Sequence, residues 1–387
     1  MVAGFGLRSL VALALFLGVG LTPFDVARAQ TSEPARRDPV ITGVAAVLVD
    51  FSDGTVLWEK NSRQRRPPAS TTKIVTALLV LERSKPGDIV TISSRSEAVG
   101  ANEAGPVELE LVAGEQVSVT DLLYGLMLES ANDAAIALAE HVAGSESRFA
   151  DLMNEKVQGL GTVDSHFVNA HGLDESGHYS TAADLIAIGR EAMKLPRFRE
   201  IVGTTSYLFP GFGARPPKRI ENRNRLLVEY EGANGIKTGF TGPAGRAVVA
   251  SAGRGDESRL AVVLGSPTDA QADARILLDY GFNQFQRRKL LETGKPWGHM
   301  TNGDGSTFLV VPVGPLELLV PTETGARTVL DPRGARLIVT PSPYANYEID
   351  VLLKCVSDCK GKRMRGTGFL LNVWKFLAPV AGFLAPE

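Results

Sequence analysis

Two blocks of strand-like sequence, separated by roughly 170 residues of mostly helical pattern, set the tightest limit on how this 387-residue chain folds. The first, VAAVLVDFSDGTVLWEKN, alternates apolar and polar residues on both sides of Asp53-Gly54, a pair suited to a hairpin turn. The second holds NGIKTGFT, RAVVASA and RLAVVLGS, joined by the turn formers GPAG and GRGDES, and reads as an antiparallel meander. The two blocks are expected to share one five-stranded antiparallel sheet with helices against its faces, an α/β arrangement closed by the helix DARILLDYGFNQF.

Between the blocks the helices carry readable ends. TDLLYGLML is expected to start at an N-cap on Thr120, NDAAIALAEHVAG to stop at Gly144, and STAADLIAIGREAMKL to open with Thr181 and Asp184 spaced as a capping box. From about Gln286 the pattern changes to short apolar runs broken by Gly and Pro, such as FLVVPVG, LELLVP and ARLIVTP. A small all-β domain is expected over 286–365, after a main domain over 39–285.

Composition is that of a folded protein, 44% hydrophobic and 22% charged. A net charge of -2 with no large basic block argues against a nucleic-acid partner. At the N-terminus Arg8 precedes the apolar run SLVALALFLGVGL and then Ala27-Arg28-Ala29, the small-x-small pattern of signal-peptidase cleavage. Residues 1–29 therefore read as a signal peptide, followed by a polar tail over 30–38. A retained membrane anchor fits less well, because the run is short and ends in Pro23 and Asp25. Export permits a disulfide between Cys355 and Cys359, with two free thiols as the alternative. No histidine lies near that pair, so a metal site there is not expected.

The chemistry begins in PPASTTKIVTALLVLE, where Ser70 and Lys73 stand three apart at a helix start and share one face. A serine hydroxyl needs a base to become a nucleophile, and a lysine among cationic or apolar groups can serve as one. By itself this spacing also describes a capped helix with a solvated lysine. Two further motifs change the balance. ESAND places Ser130 and Asn132 in a break between helices, and IKTG places Lys237, Thr238 and Gly239 on a strand of the sheet. They add a hydroxyl for proton relay, an amide for a peptide backbone, and a cation and hydroxyl that can receive a carboxylate.

The order S-x-x-K, S-x-N, K-T-G resembles that of penicillin-binding proteins and serine β-lactamases. With LLYGLMLESANDAAIALAEHVAG, FVNAHGLDESGHYSTAADL, NRNRLL and GIKTGFTGPAGRAVVASA, the chain resembles the low-molecular-mass penicillin-binding proteins, serine-type D-alanyl-D-alanine carboxypeptidases, over about residues 40–285. The resemblance implies a β-lactamase/transpeptidase-like fold, with the stem peptides of peptidoglycan as substrate and β-lactams as acylating ligands. It makes Ser70 the acylated nucleophile, Lys73 its base, and Ser130 the donor to the leaving group, helped by Lys237. Asn132 would hold the acyl side, and Thr238 of the K-T-G, with Gly239, would join Arg223 at the terminal carboxylate. The N–H groups of Ser70 and Phe240 would form an oxyanion hole, each donor worth about 3–4 kcal/mol. No metal or organic cofactor is implied. Arg246 departs from the pattern, standing where an aromatic residue is expected, and ANEAGPVELELVAGE is a looser match.

Other readings of the same residues stay in view. His166, His171 and His178 invite a zinc D,D-peptidase, but HYSTAAD lacks the spacing and glycine of such sites, and the three read better as loop and capping residues near the site. A β-lactamase shares the three motifs, yet no E-x-x-L-N stretch lies between Ser130 and Lys237. A silent peptidoglycan-binding protein would not need Ser70, Lys73, Ser130 and Lys237 together. A D,D-endopeptidase would use the same chemistry. At the C-terminus, Lys360, Lys362, Arg363 and Arg365 precede an apolar stretch holding Phe369, Trp374, Phe376 and Leu377. An amphipathic anchor over 366–387 is expected, placing an exported, periplasmic protein on the outer face of the cytoplasmic membrane. Packing of that segment on the β-rich domain is the alternative.

Overall fold

A computed structural model of the chain describes residues 38–102, 109–211 and 216–292, then the strand segments 298–301, 307–310, 316–322, 328–331, 336–342 and 345–350. The expected signal peptide, the cysteine pair and the C-terminal anchor lie outside these residues.

The chain opens with β1 (Ala45–Asp50) and β2 (Val56–Lys60), paired across the Asp53-Gly54 turn as expected. A 3-10 turn, Ala69–Thr72, leads into α1 (Lys73–Arg83). Next come β3 (Ile89–Thr91), α2 (Ser94–Asn102), β4 (Gln116–Ser118) and α3 (Val119–Tyr124). A π turn over Gly125–Glu129 precedes α4 (Asn132–Ala143) and α5 (Glu146–Gly159). Then follow α6 (Ala182–Ala192), α7 (Pro196–Gly203), β5 (Ser206–Phe209), β6 (Lys218–Glu221) and the short α8 (Leu226–Glu229). The meander is β7 (Ala233–Thr241), β8 (Gly245–Arg254) and β9 (Glu257–Ser266), and α9 (Ala270–Gln284) closes the sheet region.

The five strands form one sheet in the order β2-β1-β9-β8-β7, every neighbour antiparallel. All six residues of β1 are buried because both sheet faces are covered. One face presents Val47, Val249, Val262 and Ile236 to α1 and its helical neighbours. The other presents Leu48, Val248, Ala250 and Val263 to Ala274, Leu277 and Leu278 of α9. Each fully buried Val or Leu contributes about 1.5–3 kcal/mol to holding these layers together. In α1 eight consecutive residues, Lys73–Val80, are buried, so the helix is enclosed all round and its unbroken apolar run is that of a central helix.

The caps follow the sequence with two corrections. Gly144 ends α4 in the left-handed conformation that suits glycine. Helix α3 is capped not by Thr120 but by Ser118, whose Oγ accepts from the Asp121 N–H at 3.1 Å. The chain leaves the β3–β4 pairing straight into the helix, and Thr120 instead donates to the Pro86 carbonyl at 2.7 Å. Thr181 caps α6, but Asp184 does not reciprocate; its carboxylate accepts from the Asp164 N–H and the Ser165 hydroxyl.

After α9 every described element is a strand. These are β10 (Phe285–Leu291), β11 (Gly298–Thr301), β12 (Thr307–Val310), β13 (Leu316–Pro321), β14 (Thr328–Asp331), β15 (Arg336–Ser342) and β16 (Ala345–Asp350). β10 pairs with β13, β11 with β12, and β14 to β16 in series, all antiparallel. Among the described residues no helix is long and apolar enough to cross a membrane.

Candidate active site

The hydroxyls of the 3-10 turn divide their work. Thr71 Oγ1 donates to the Pro68 carbonyl at 2.6 Å, and Thr72 Oγ1 meets His178 Nε2 at 2.9 Å. His178 Nδ1 accepts from the Val168 N–H, so its proton sits on Nε2 and is donated to Thr72. Both threonines are buried, whereas Ser70 is partly open to solvent. The residue before it, Ala69, is held at φ 48, a left-handed conformation that costs a non-glycine residue about 1 kcal/mol or more.

Lys73, on the first turn of the buried α1, reaches three oxygens: Ser70 Oγ at 3.0 Å, Asn132 Oδ1 at 2.8 Å and the His171 carbonyl at 2.6 Å. Asn132 begins α4 behind the π turn, and Ser130 links the two in a left-handed conformation, φ 70 and ψ 28. Ser130 is nearly buried, and its hydroxyl makes no hydrogen bond among the described residues.

The third motif arrives on β7, at the sheet edge. A Cβ on Gly239 would stand 2.9 Å from the Ser70 backbone nitrogen and 3.1 Å from the Ala69 Cβ, so the strand lies directly on the serine turn and glycine is what fits. Lys237 is 1% exposed and donates to the Thr238 carbonyl at 3.1 Å. Burial, and then the nearby Arg223 guanidinium, bring its pKa down to about 7, against the opposing pull of Glu129. Thr238 is partly exposed, and Phe240 is 61% exposed with the Arg246 guanidinium 5.2 Å from its ring centroid. Arg246 thus stacks on an aromatic ring at the position where an aromatic residue was expected.

Arg223 follows β6 and is drawn to the π turn, donating to the Glu129 carbonyl at 2.8 Å and the Glu129 carboxylate at 2.9 Å. Sequence motifs grouped Ser70, Lys73, Ser130, Asn132, Lys237 and Gly239; the structure joins Ser70, Lys73 and Asn132 by hydrogen bonds and lays Gly239 on the serine turn, while Ser130 and Lys237 flank them as chain neighbours of Asn132 and Gly239. The motifs did not point to Glu129, to the His171 carbonyl, or to the Thr241 hydroxyl that clasps Asp174 at 3.0 Å. His171 and His178 line the wall behind Lys73 as loop residues, and among the described residues no cluster of His, Cys, Asp and Glu is placed to hold a metal.

The family model of D-alanyl-D-alanine carboxypeptidases matches residues 30–268. The D-alanyl-D-alanine carboxypeptidase DacF of Bacillus subtilis (strain 168) is 36% identical over 249 residues, covering 64% of each chain. DacA of Escherichia coli (strain K12), also a D-alanyl-D-alanine carboxypeptidase, is 37% identical over 267 residues, 66% of this chain and 65% of its own. The matched region thus spans a little under two thirds of those relatives. Among solved structures, penicillin binding protein 5 from Haemophilus influenzae aligns with a TM-score of 0.67 and 29% identity, over 82% of this chain and 98% of its own. The Streptomyces K15 DD-transpeptidase aligns with a TM-score of 0.60 and 35% identity, over 64% and 99%.

Proposed function

Because the chain belongs to the D-alanyl-D-alanine carboxypeptidase family, we propose that it removes the terminal D-alanine of peptidoglycan stem peptides through an acyl-enzyme on Ser70, and that β-lactams acylate the same hydroxyl. The observation that carries this reading is the set of three oxygens around Lys73 Nζ. Asn132 Oδ1 and the His171 carbonyl can only accept, so once Lys73 has given up one proton they can hold its two remaining N–H groups and turn its lone pair towards Ser70 Oγ, 3.0 Å away. A buried lysine so arranged is a base, not a surface charge.

In the proposed reaction Ser70 Oγ attacks the carbonyl carbon of the penultimate D-alanine while its proton passes to Lys73. The N–H groups of Ser70 and Phe240 receive the developing oxyanion. Collapse breaks the peptide C–N bond, and the departing amine takes the Ser130 proton, replaced by way of Lys237 and the lysine base. Water then attacks the ester, releasing the shortened peptide and restoring the Ser70 hydroxyl. Asn132 positions the acyl side, while Thr238, at the Gly239 strand, and Arg223 receive the terminal carboxylate. An arriving carboxylate also favours the charged form of Lys237, offsetting the burial that depresses it.

Mass spectrometry of the purified protein with penicillin and with a D-Ala-D-Ala peptide tests this directly. The expected result is an adduct on the peptide bearing Ser70 and release of free D-alanine; neither adduct nor release would refute it.

Export and peripheral attachment to the membrane complete the proposal, supported by the sequence of residues 1–29 and 366–387. Deleting 366–387 is expected to move the protein from the membrane fraction to the soluble one with penicillin labelling retained. Unchanged partition would count against the anchor.

A further inference from the structure

The aim of the Lys73 lone pair depends on the His171 carbonyl, and that carbonyl is held by a residue outside the three motifs. His171 Nδ1 accepts from the Leu173 N–H at 3.2 Å, so the ring proton is on Nε2, which faces Glu146 Oε1 at 3.2 Å. The same oxygen accepts from the Ala170 N–H at 3.2 Å, and Oε2 accepts from Arg95. One carboxylate therefore grips two consecutive residues of the loop at a backbone group and a ring. On the inner side the Ala170 carbonyl takes the Thr76 hydroxyl at 2.6 Å and the His171 carbonyl takes Lys73, both from α1. Gly172 is tied by its N–H to Asn169 Oδ1 at 2.7 Å. Burial opposes the charge on Glu146, but the donors from His171, Arg95 and Ala170 outweigh it and hold its pKa at about 2. The grip is thus ionised at any working pH.

We infer that Glu146 is a positioning residue for acylation: by holding the Ala170 N–H and the His171 ring it aims the His171 carbonyl at Lys73, so that the lysine lone pair faces Ser70. This rests on the proposed reading of Lys73 as the base. Glu146 touches neither substrate nor Ser70, so its loss acts on the rate of proton transfer rather than on ligand affinity.

The test separates those two quantities. Stopped-flow acylation by a fluorescent penicillin gives the non-covalent dissociation constant and the acylation rate constant for the full chain. Glu146→Ala is expected to lower the rate constant roughly ten- to hundredfold, the scale of a misplaced reacting group, with the dissociation constant unchanged. Glu146→Gln keeps a carbonyl oxygen for both loop donors and is expected to recover most of the rate. His171→Ala keeps the backbone carbonyl and the Ala170 N–H grip, loses only the ring, and should give part of the loss seen in Glu146→Ala, with the double variant no slower than Glu146→Ala alone. A wild-type rate in Glu146→Ala, a loss that Glu146→Gln does not restore, or a loss confined to affinity would each overturn the inference. Should Glu146→Ala not fold, a wild-type rate in His171→Ala does the same. Failure of the wild-type protein to label at all would instead strike the proposed function.

Discussion

His178 sits uncharged in the wall behind Lys73, and acid should find it first. Burial above all brings its pKa from 6.5 to about 4. Between those values the unfolded chain binds a proton that the folded chain refuses, so stability falls as pH drops from 6.5 towards 4, by up to about 3 kcal/mol. Glu146, depressed from 4.5 to about 2, adds stability that is present above 4.5 and is lost as pH falls through 2. Urea unfolding at pH 7 and pH 4.5 should show the histidine limb, and His178→Asn should flatten it; an unchanged slope would assign the limb to other groups. Arg223 makes a different prediction at the same scale. Removing it should weaken a free-acid peptide roughly ten- to hundredfold, the scale of a charge-assisted hydrogen bond, and its C-terminal amide much less. Equal losses in kcat/KM for the two peptides would mean that Arg223 serves mainly by bracing Glu129 and the turn before Ser130. The residues whose side chains carry the proposed reaction could be picked out in the sequence because reactivity demands their identity. The His171 contact could not, since a backbone carbonyl leaves no mark on residue type, and Glu146 reaches it only through folding of the loop.

Among the elements, β7 and the 3-10 turn decide the geometry together. Helix and strand periodicity placed Ser70 at a helix start and Lys237 in the sheet, and the Asp53-Gly54, GPAG and GRGDES turns placed the strands in order. Periodicity could not show that the edge strand lies on the serine turn, because that contact is made by an absent side chain. Nor could it show Ser118 as the cap of α3, because Thr120 is an equally good cap by residue type and only the β3–β4 pairing selects between them. The contact at Gly239 is testable. Gly239→Ala should push β7 from the Ser70 amide, costing about 1–3 kcal/mol of stability by overpacking and slowing acylation roughly tenfold or more. Gly242→Ala, on the same hairpin, meets nothing within 4 Å and should be silent by both measures. Equal acylation rates for the two variants would show that the strand can yield without disturbing Ser70.

On the scale of the whole molecule, the sheet carries a buried ion network at the end away from the serine. Asp50, at the end of β1, receives Arg259 of β9 at 2.9 Å and Arg287 of β10 at 2.9 Å. Arg259 is fully buried and is also held by the Glu257 carboxylate and the Gly281 carbonyl of α9. The Arg287 N–H returns to Glu257 at 2.6 Å, so the network ties the first strand after α9 to the sheet. Strand pattern alone led to the expectation of strands after α9, as the elements described there are, but these charges, scattered over more than 230 positions, meet only in the fold. β1 lies three strands from β7, about 14 Å at ordinary strand spacing. Asp50→Asn should therefore leave the buried Arg259 guanidinium with Glu257 as its remaining counter-charge and cost about 3 kcal/mol of stability, the low end for breaking a buried pair, while each molecule that remains folded acylates at the wild-type rate. The measurement is the urea midpoint beside the fraction of folded protein labelled by penicillin. A slower acylation rate at full folding would mean that strain at this end of the sheet reaches Ser70, and that the two ends are not energetically independent.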